Sequence, residues 1–258
     1  MFSLVLPFHS DFSRLTSSLD LARRKKDECQ VGEVLLCHNG LPYDEQMCQA
    51  LGNSLCETVK LLHTDIGGIG AGYKLGIRHA EEPYVVLSAS DLPFGFTDIE
   101  AFRRAKQGGA SPQFAIGSKA HPKSIIEKIS FKRRLTSYAF YVLRQTVLGK
   151  KTPKDSQGSL IVETMLARKL AEASDFENYM FSLDIATQAL DQGVSVVELP
   201  IYLKNHTGPS SVSVIKDGYK MVWDLFRMSK RRSRDLNPHR HKPLPPQFKE
   251  STTQSNSA

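Results

Sequence analysis

Tyr84-Val85-Val86-Leu87-Ser88-Ala89-Ser90-Asp91-Leu92 is the stretch of this chain that decides its fold. An apolar, strand-forming run passes into small residues and stops at a carboxylate, after which Pro93-Phe94-Gly95 turns the chain. In an α/β sheet, ligands gather beyond the carboxyl ends of the strands, so an acid at that point is placed to meet a polyphosphate or its metal ion. Strand-end carboxylates also cap helices. What surrounds Asp91 separates the two roles.

Strand and helix signals alternate on both sides. Residues 2–6 are a compact apolar run ended by Pro7, and residues 12–26 carry Phe12, Leu15, Leu19 and Leu21 into a basic end, Arg23-Arg24-Lys25-Lys26, that suits a helix C-terminus. A strand at 33–37 turns at His38-Asn39-Gly40, and a helix over 44–51 and a strand over 57–62 follow. Asp65-Ile66-Gly67-Gly68-Ile69-Gly70-Ala71-Gly72 leads into a helix over 73–80 and then into the strand that ends at Asp91. A helix over 97–106 and a strand over 114–118 continue the series. Successive βα units predict an α/β fold, a three-layer α/β/α arrangement whose central sheet is mainly parallel and covered on both faces.

The second half is less regular. A long amphipathic helix over 130–148 begins with Phe131-Lys132-Arg133-Arg134, and Lys154-Asp155-Ser156-Gln157-Gly158 forms a polar turn before the apolar run 159–162. A helix over 182–192 precedes two short strands, 194–199 and 201–204, divided by Pro200 as at a sheet edge. Val214, Ile215, Tyr219, Val222, Trp223, Leu225 and Phe226 fall largely on one helical face, with Lys216, Lys220, Arg227 and Lys230 around it. One domain therefore spans 1–230, closing with an amphipathic helix over 213–230, and 231–258 reads as a basic, disordered tail rich in Pro, Ser, Gln and His.

A 258-residue chain that is 40% hydrophobic and 24% charged suits one large domain with a sizeable core. Its net charge of +7 favours anionic partners, whether nucleotide, phospholipid surface or nucleic acid. Cys29, Cys37, Cys48 and Cys56 show neither Cys-x-x-Cys spacing nor a zinc-site histidine, so they read as reduced thiols in a reducing, cytoplasmic setting. The N-terminus lacks the basic flank of a signal peptide, and no apolar run approaches the ~20 residues of a membrane span. A soluble protein, or one peripheral on the cytoplasmic membrane face, is expected. The glycine-rich loop does not spell Gly-x-Gly-x-x-Gly after the first strand, which argues against a dinucleotide site. Lys230-Arg231-Arg232-Ser233-Arg234 has no aromatic platform beside it, which argues against nucleic acid.

In shared order and spacing these pieces resemble the family 2 glycosyltransferases of the GT-A fold, specifically the dolichyl-phosphate mannose and glucose synthases, from about Phe2 to Met228. Leu6-Pro7-Phe8-His9-Ser10-Asp11 stands where that family has Pro-x-Tyr-Asn-Glu, and Cys37-His38-Asn39-Gly40 where it has Val-Asp-Asp-Gly. Residues 71–80 are similar to the helix before its catalytic strand, and Ala89-Ser90-Asp91-Leu92 falls on Asp-Ala-Asp-Leu. Ile116-Gly117-Ser118-Lys119 matches Ile-Gly-Ser-Arg, Asp155-Ser156-Gln157-Gly158 matches Asp-Thr-Gln-x-Gly, and Phe181-Ser182-Leu183-Asp184 falls on Phe-Asp-Val-Glu. Val197-Glu198-Leu199-Pro200-Ile201 corresponds to an edge strand.

The resemblance implies transfer of a hexose from a nucleotide sugar to a polyprenyl phosphate, with inversion at the sugar carbon. It makes Asp91 the residue for a divalent metal, Mg²⁺ or Mn²⁺, and the donor diphosphate. Pro7, Asp11, His38, Asn39, Gly68, Gly70 and Ser90 then line the donor nucleotide. Lys119, Lys132, Arg133 and Arg134 become candidates for the acceptor phosphate, and Asp155, Gln157 and Asp184 order the acceptor loop or the sugar. The chain also departs from the pattern: Ala89 replaces the first acid of Asp-x-Asp, Pro93 offers no side-chain oxygen, and His38-Asn39 replace the base-binding acids. The alternative is a catalytically eroded GT-A-like domain that binds a nucleotide sugar or a partner.

Overall fold

The computed structural model describes residues 1–10, 12–42, 45, 51, 58–127, 131–149, 152–155, 158–204 and 214–235, with backbone alone at 12–14, 131–134, 214–219 and 234–235. Its strands are β1 (Phe2–Phe8), β2 (Val31–Asn39), β3 (Val59–Thr64), β4 (Tyr84–Leu87), β5 (Phe114–Ser118), β6 (Ile125–Ile126), β7 (Leu160–Glu163), β8 (Val196–Pro200) and β9 (Tyr202–Leu203). The helices are α1 (Phe12–Cys29), α2 (Ile69–His79), α3 (Thr97–Gln107), α4 (Phe131–Leu148), α5 (Thr164–Glu172), α6 (Met180–Asp191) and α7 (Val214–Asp235).

The main sheet has the order β3-β2-β1-β4-β7-β5-β8, and β6 and β9 form a separate parallel pair. β1 runs parallel to both neighbours, in register Leu4↔Val34 and Leu4↔Val86, which aligns the carboxyl ends of β1, β2 and β4. The expected mainly parallel α/β sheet is observed, with one exception: β7 is antiparallel to both β4 and β5. That reversal brings the chain before β7 to the edge where β4 and β5 end.

Alternation along the strands sorts their side chains to two cores. Val5, Leu35, Val85 and Leu87 face the layer that contributes Tyr73, Ile77, Leu170, Phe181 and Leu225. Leu4, Leu6, Leu36 and Val86 face Leu15, Leu19, Phe96 and Phe102. A strand buried on both faces is nearly continuous in apolar residues, and β1 is buried along its whole length with one polar side chain, Ser3, which donates to Glu33 at 2.6 Å.

α1 forms because Leu15, Leu19, Ala22 and Cys29 recur on one buried face while the basic run lies outside it. In α3, Asp98 and Glu100 open the helix and Arg104 and Lys106 close it, each charge opposing the helix dipole end beside it. The helix predicted at 73–80 begins at Ile69, so the glycine run enters its first turn. Most of the helix expected at 44–51 lies outside the described residues. α5 directly follows β7 and had no counterpart in the sequence reading.

The largest difference is at the C-terminus. α7 continues to Asp235, beyond the boundary expected at 230. Arg231 bridges to Asp184 and to Asp175, and Arg232 to Asp191 and the Leu148 carbonyl, so residues 231–235 belong to the domain. The remaining tail, 236–258, lies outside the described residues. The apolar residues of α7 also divide: Leu225 and Met228 are buried, whereas Trp223 and Phe226 are 66% and 52% exposed.

Candidate active site

The parallel strands end on one edge, and the polar residues there come from successive turns. At the end of β2, His38 and Asn39 are both buried. Asn39 donates its side-chain N–H to the Gly68 carbonyl at 2.5 Å, tying the β2 turn to the start of α2. His38 Nδ1 lies 3.0 Å from His63 Nδ1, and His63 Nε2 lies 2.9 Å from an Asp65 oxygen. If His63 donates to Asp65 from Nε2, its Nδ1 is the acceptor in the pair and His38 Nδ1 the donor. Burial holds His38 below the ordinary histidine pKa, and the neighbouring His63 and His9 imidazoles add to the effect. His9 reaches the Asn39 carbonyl through Nδ1 at 2.9 Å.

Gly68 adopts φ 113°, and a Cβ there would lie 2.1 Å from the Glu177 carbonyl oxygen. No other residue type fits that backbone and that contact. The Gly70 N–H donates to the same carbonyl at 2.9 Å, so this glycine serves the junction between α2 and the chain before α6. Pro7, buried at the end of β1, packs against Gly72, where a Cβ would come within 2.6 Å of the proline ring. The glycine run therefore draws α2 close to β1 and β2.

Asp91 is half-buried in a turn closed by the Leu92 N–H on the Ala89 carbonyl at 3.0 Å, and Ser90 is half-buried beside it. Leu92 and Phe96 both hold positive φ, 42° and 79°, and both are anchored by buried side chains. Non-glycine residues in that region cluster where a fold fixes a functional loop. The Tyr73 phenol of α2 is held well above its usual pKa, chiefly by burial and further by Tyr179 and the Asp91 charge.

Beyond β5, the Asp155 carboxylate accepts the Lys119 N–H at 2.8 Å and pairs with Lys119 Nζ at 3.3 Å. Lys119 Nζ also lies 6.0 Å from the centre of the Phe94 ring, in the loop that follows Asp91. One edge thus gathers Asp91, Lys119, Asp155, His38 and Asn39. Asp184 stands apart from it. It is fully buried in α6, where Arg231 and Gln188 bind its oxygens; burial raises its pKa, with Ser174, Arg231 and Gln188 opposing. Gln157 and Asp11 and the side chains of Lys132, Arg133 and Arg134 lie outside the described residues.

Among the described residues, no three His, Cys, Asp or Glu side chains form a group able to hold a metal ion. At position 89 there is no carboxylate to join Asp91. The edge fits a cation only where Asp91 supplies one oxygen and a bound diphosphate supplies others, a common arrangement for Mg²⁺. No helix among the described residues is long and apolar enough to cross a membrane.

The sequence reading missed His63 and Asp65, although Thr64-Asp65 is a strand-end acid of the kind that singled out Asp91. It also missed Arg144, a lone cation between the core-facing Phe140, Leu143 and Val147 of α4.

No family model matches the sequence. A polyprenol monophosphomannose synthase of Mycolicibacterium smegmatis is 26% identical over 161 residues, which are 61% of this chain and 61% of that protein. The chain thus matches about three fifths of the length of this curated relative. Among solved structures, the glucosyl-3-phosphoglycerate synthase of Mycobacterium tuberculosis with Mn²⁺, uridine diphosphate and phosphoglyceric acid aligns at TM-score 0.57 and 15% identity, over 95% of this chain and 80% of that one. Staphylococcus aureus TarS in complex with UDP-GlcNAc aligns at TM-score 0.52 and 15% identity, over 88% and 66%. These relatives support the resemblance to family 2 glycosyltransferases read from the sequence, and the solved structures establish the fold.

Proposed function

We propose that this protein is an inverting hexosyltransferase that moves a sugar from a nucleotide-sugar donor to a polyprenyl phosphate at a membrane surface. The observation that carries the proposal is the convergence, on one strand-end edge, of the Asp91 loop, the Lys119–Asp155 pair and the His38–Asn39 end of β2. The resemblance to a polyprenol monophosphomannose synthase supports the choice of acceptor.

In this reaction an acceptor phosphate oxygen bonds to the anomeric carbon as the bond from that carbon to the donor diphosphate breaks, and the electron pair leaves with the nucleoside diphosphate. The acceptor oxygen is already ionised and needs no strong general base. The protein must hold two polyanions in line and stabilise the charge on the one that departs. A divalent cation held by Asp91 and the donor oxygens would neutralise that charge. Lys119 supplies a cation at the same edge, oriented by Asp155. Pro7, Ser90, His38 and Asn39 line the ends of β1, β4 and β2, where the nucleotide would lie, and Gly68 and Gly70 fix that wall from α2. Lys132, Arg133 and Arg134, at the start of α4, are the proposed partners of the acceptor phosphate, and Gln157, two positions after Asp155 in sequence, is a further candidate. Asp184 takes part through the packing of α6 against α7.

The membrane contact is assigned to the exposed face of α7. Trp223 and Phe226 project there with Arg227 and Lys230, a combination of aromatic and basic side chains suited to an anionic interface. Each basic residue near such a surface contributes roughly 1 kcal/mol.

The test is incubation of the purified protein with UDP- and GDP-hexoses, a short polyprenyl phosphate, and Mn²⁺ or Mg²⁺. A lipid-linked hexose of inverted anomeric configuration is expected. Donor binding without transfer to any phosphate acceptor would instead support the eroded binding domain that Ala89 favours, and no binding of any donor would overturn both.

A further inference from the structure

Among the described residues, Arg144 is the largest side chain that is almost wholly buried, at 1% exposure, and it makes no direct bridge to a carboxylate there. Instead, its Nη2 donates to two backbone carbonyls, Pro153 at 2.5 Å and Lys154 at 2.9 Å. The Asp155 and Glu198 charges support its ionisation against burial, which lowers its pKa from the usual arginine value. From the other side, one oxygen of Glu198 in β8 accepts the N–H groups of Lys154, at 2.5 Å, and Asp155, at 3.3 Å. Gln145, next to Arg144, binds Thr152 through both its carbonyl and its hydroxyl. Residues 152–155 have no helix or strand of their own, so these bonds fix where their backbone runs. The next group along is the Asp155 carboxylate that holds Lys119.

A buried guanidinium is costly to keep, and a buried apolar residue at the same place is often as stable or more so. Here Nη2 alone reaches two successive carbonyls, which an apolar side chain cannot do, while the buried Nε meets no hydrogen-bond partner among the described residues.

We propose that Arg144 is a positioning residue: clamping the 153–154 carbonyls while Glu198 clamps the following amides, it sets the Asp155 carboxylate and through it the direction of the Lys119 ammonium toward the candidate phosphate site. This rests on the proposed transfer reaction for its purpose. Its geometry concerns the described residues alone. Arg144 touches neither donor nor acceptor and acts through Asp155 and Lys119. It also links α4, whose first turn carries Lys132, Arg133 and Arg134, to the loop after Asp91, where the Lys119 ammonium lies by Phe94.

The experiment compares Arg144→Met, Arg144→Lys and Glu198→Gln with the parent, as full-length chains. Acylation of each lysine by a water-soluble amine reagent is followed by mass spectrometry, with Lys106 and Lys169 as internal references. In Arg144→Met, Lys119 should label severalfold faster as Asp155 releases it, while the reference lysines keep their rates; Arg144→Lys should fall between. Glu198→Gln should shift Lys119 in the same direction, and it serves as the deciding variant if Arg144→Met does not fold. Unchanged Lys119 labelling in a folded Arg144→Met or in Glu198→Gln would overturn the proposal, as would a uniform rise across all lysines. Labelling requires no turnover, so failure of the positioning role is distinguishable from failure of the transfer reaction. Where transfer is measured, the same variants should lower kcat more than they raise KM for the donor.

Discussion

Lys119 meets the same oxygen of Asp155 twice, with its backbone N–H at 2.8 Å and its ammonium at 3.3 Å. A carboxylate gripped in this way fixes the end of β5 against the loop that enters β7. The two elements are distant in sequence and join only because β7 runs antiparallel between β4 and β5. The resulting edge carries the Lys119 cation and the Asp91 and Asp155 carboxylates, and its chemistry makes the following outcomes expected.

Asp91→Asn should lower donor turnover by about a hundredfold, the scale typical of removing one charge-stabilising group from a transfer site. Stability should change little, because Asp91 is half-buried in a turn closed by backbone bonds. Steady-state transfer or donor hydrolysis, with a thermal melt alongside, checks both. Parent-like turnover would move the reaction centre away from β4.

Ala89→Asp should tighten Mn²⁺ binding in the presence of a nucleoside diphosphate, since a second hard oxygen then stands two residues before Asp91. Titration calorimetry with and without the nucleotide is the measurement. Equal affinity for Mn²⁺ in parent and variant would show that Asp91 faces away from the diphosphate.

Folding stability should decline as pH falls below the ordinary histidine pKa of 6.5, with His38 as a principal contributor. His38 is held below that value, so between its folded pKa and 6.5 the unfolded chain binds more protons than the folded one. The stabilisation is complete above this window and is lost as pH drops through it. Denaturant melts from pH 8 to pH 5 should show a shallower slope for His38→Asn than for the parent; parallel curves would assign the decline to other groups.

Arg231 and Lys230 should behave as opposites although they are neighbours. Arg231→Met leaves the fully buried Asp184 without its cation and should destabilise the domain by about 3–5 kcal/mol. Lys230→Gln should leave the melt unchanged and weaken binding to anionic vesicles. Chemical unfolding and liposome sedimentation separate the two effects.

Trp223→Ala with Phe226→Ala should abolish vesicle binding without a loss of stability, because both side chains are mostly exposed. Sedimentation with phosphatidylglycerol and phosphatidylcholine vesicles at low and high salt is the test. Retained, salt-sensitive binding would place the contact on basic groups alone.

The two halves of the site differed in how far the sequence could locate them. Apolar runs of strand length identified β1, β2 and β4, because a strand buried on both faces is apolar over most of its length. Asp91 and the His38–Asn39 pair were legible for the same reason, as polar residues where such runs stop, although β2 continues through both to Asn39 where a turn was expected. The glycines at 68 and 70 were visible but their purpose was not: in sequence they can serve a phosphate or a close approach of backbone, and only the position of Glu177, more than a hundred residues on, selects the second.

Charge was the least legible quantity. Arg227, Lys230, Arg231 and Arg232 lie close together in sequence, yet helical rotation leaves Lys230 exposed, lays the half-exposed Arg227 over the Phe176 ring, and turns the last two toward Asp175, Asp184 and Asp191. Whether a cation binds a lipid phosphate or a buried carboxylate depends on which face of α7 packs on the core, and that is set by Leu225 and Met228 meeting residues far along the chain. Local pattern therefore determined the class of fold and the strand-end candidates, since periodicity and turn chemistry act over a few residues. The partners of Lys119, Arg144 and Asp184 were decided by tertiary structure alone, because an ion pair depends on distance in space and the sheet order that sets those distances is written in no single segment.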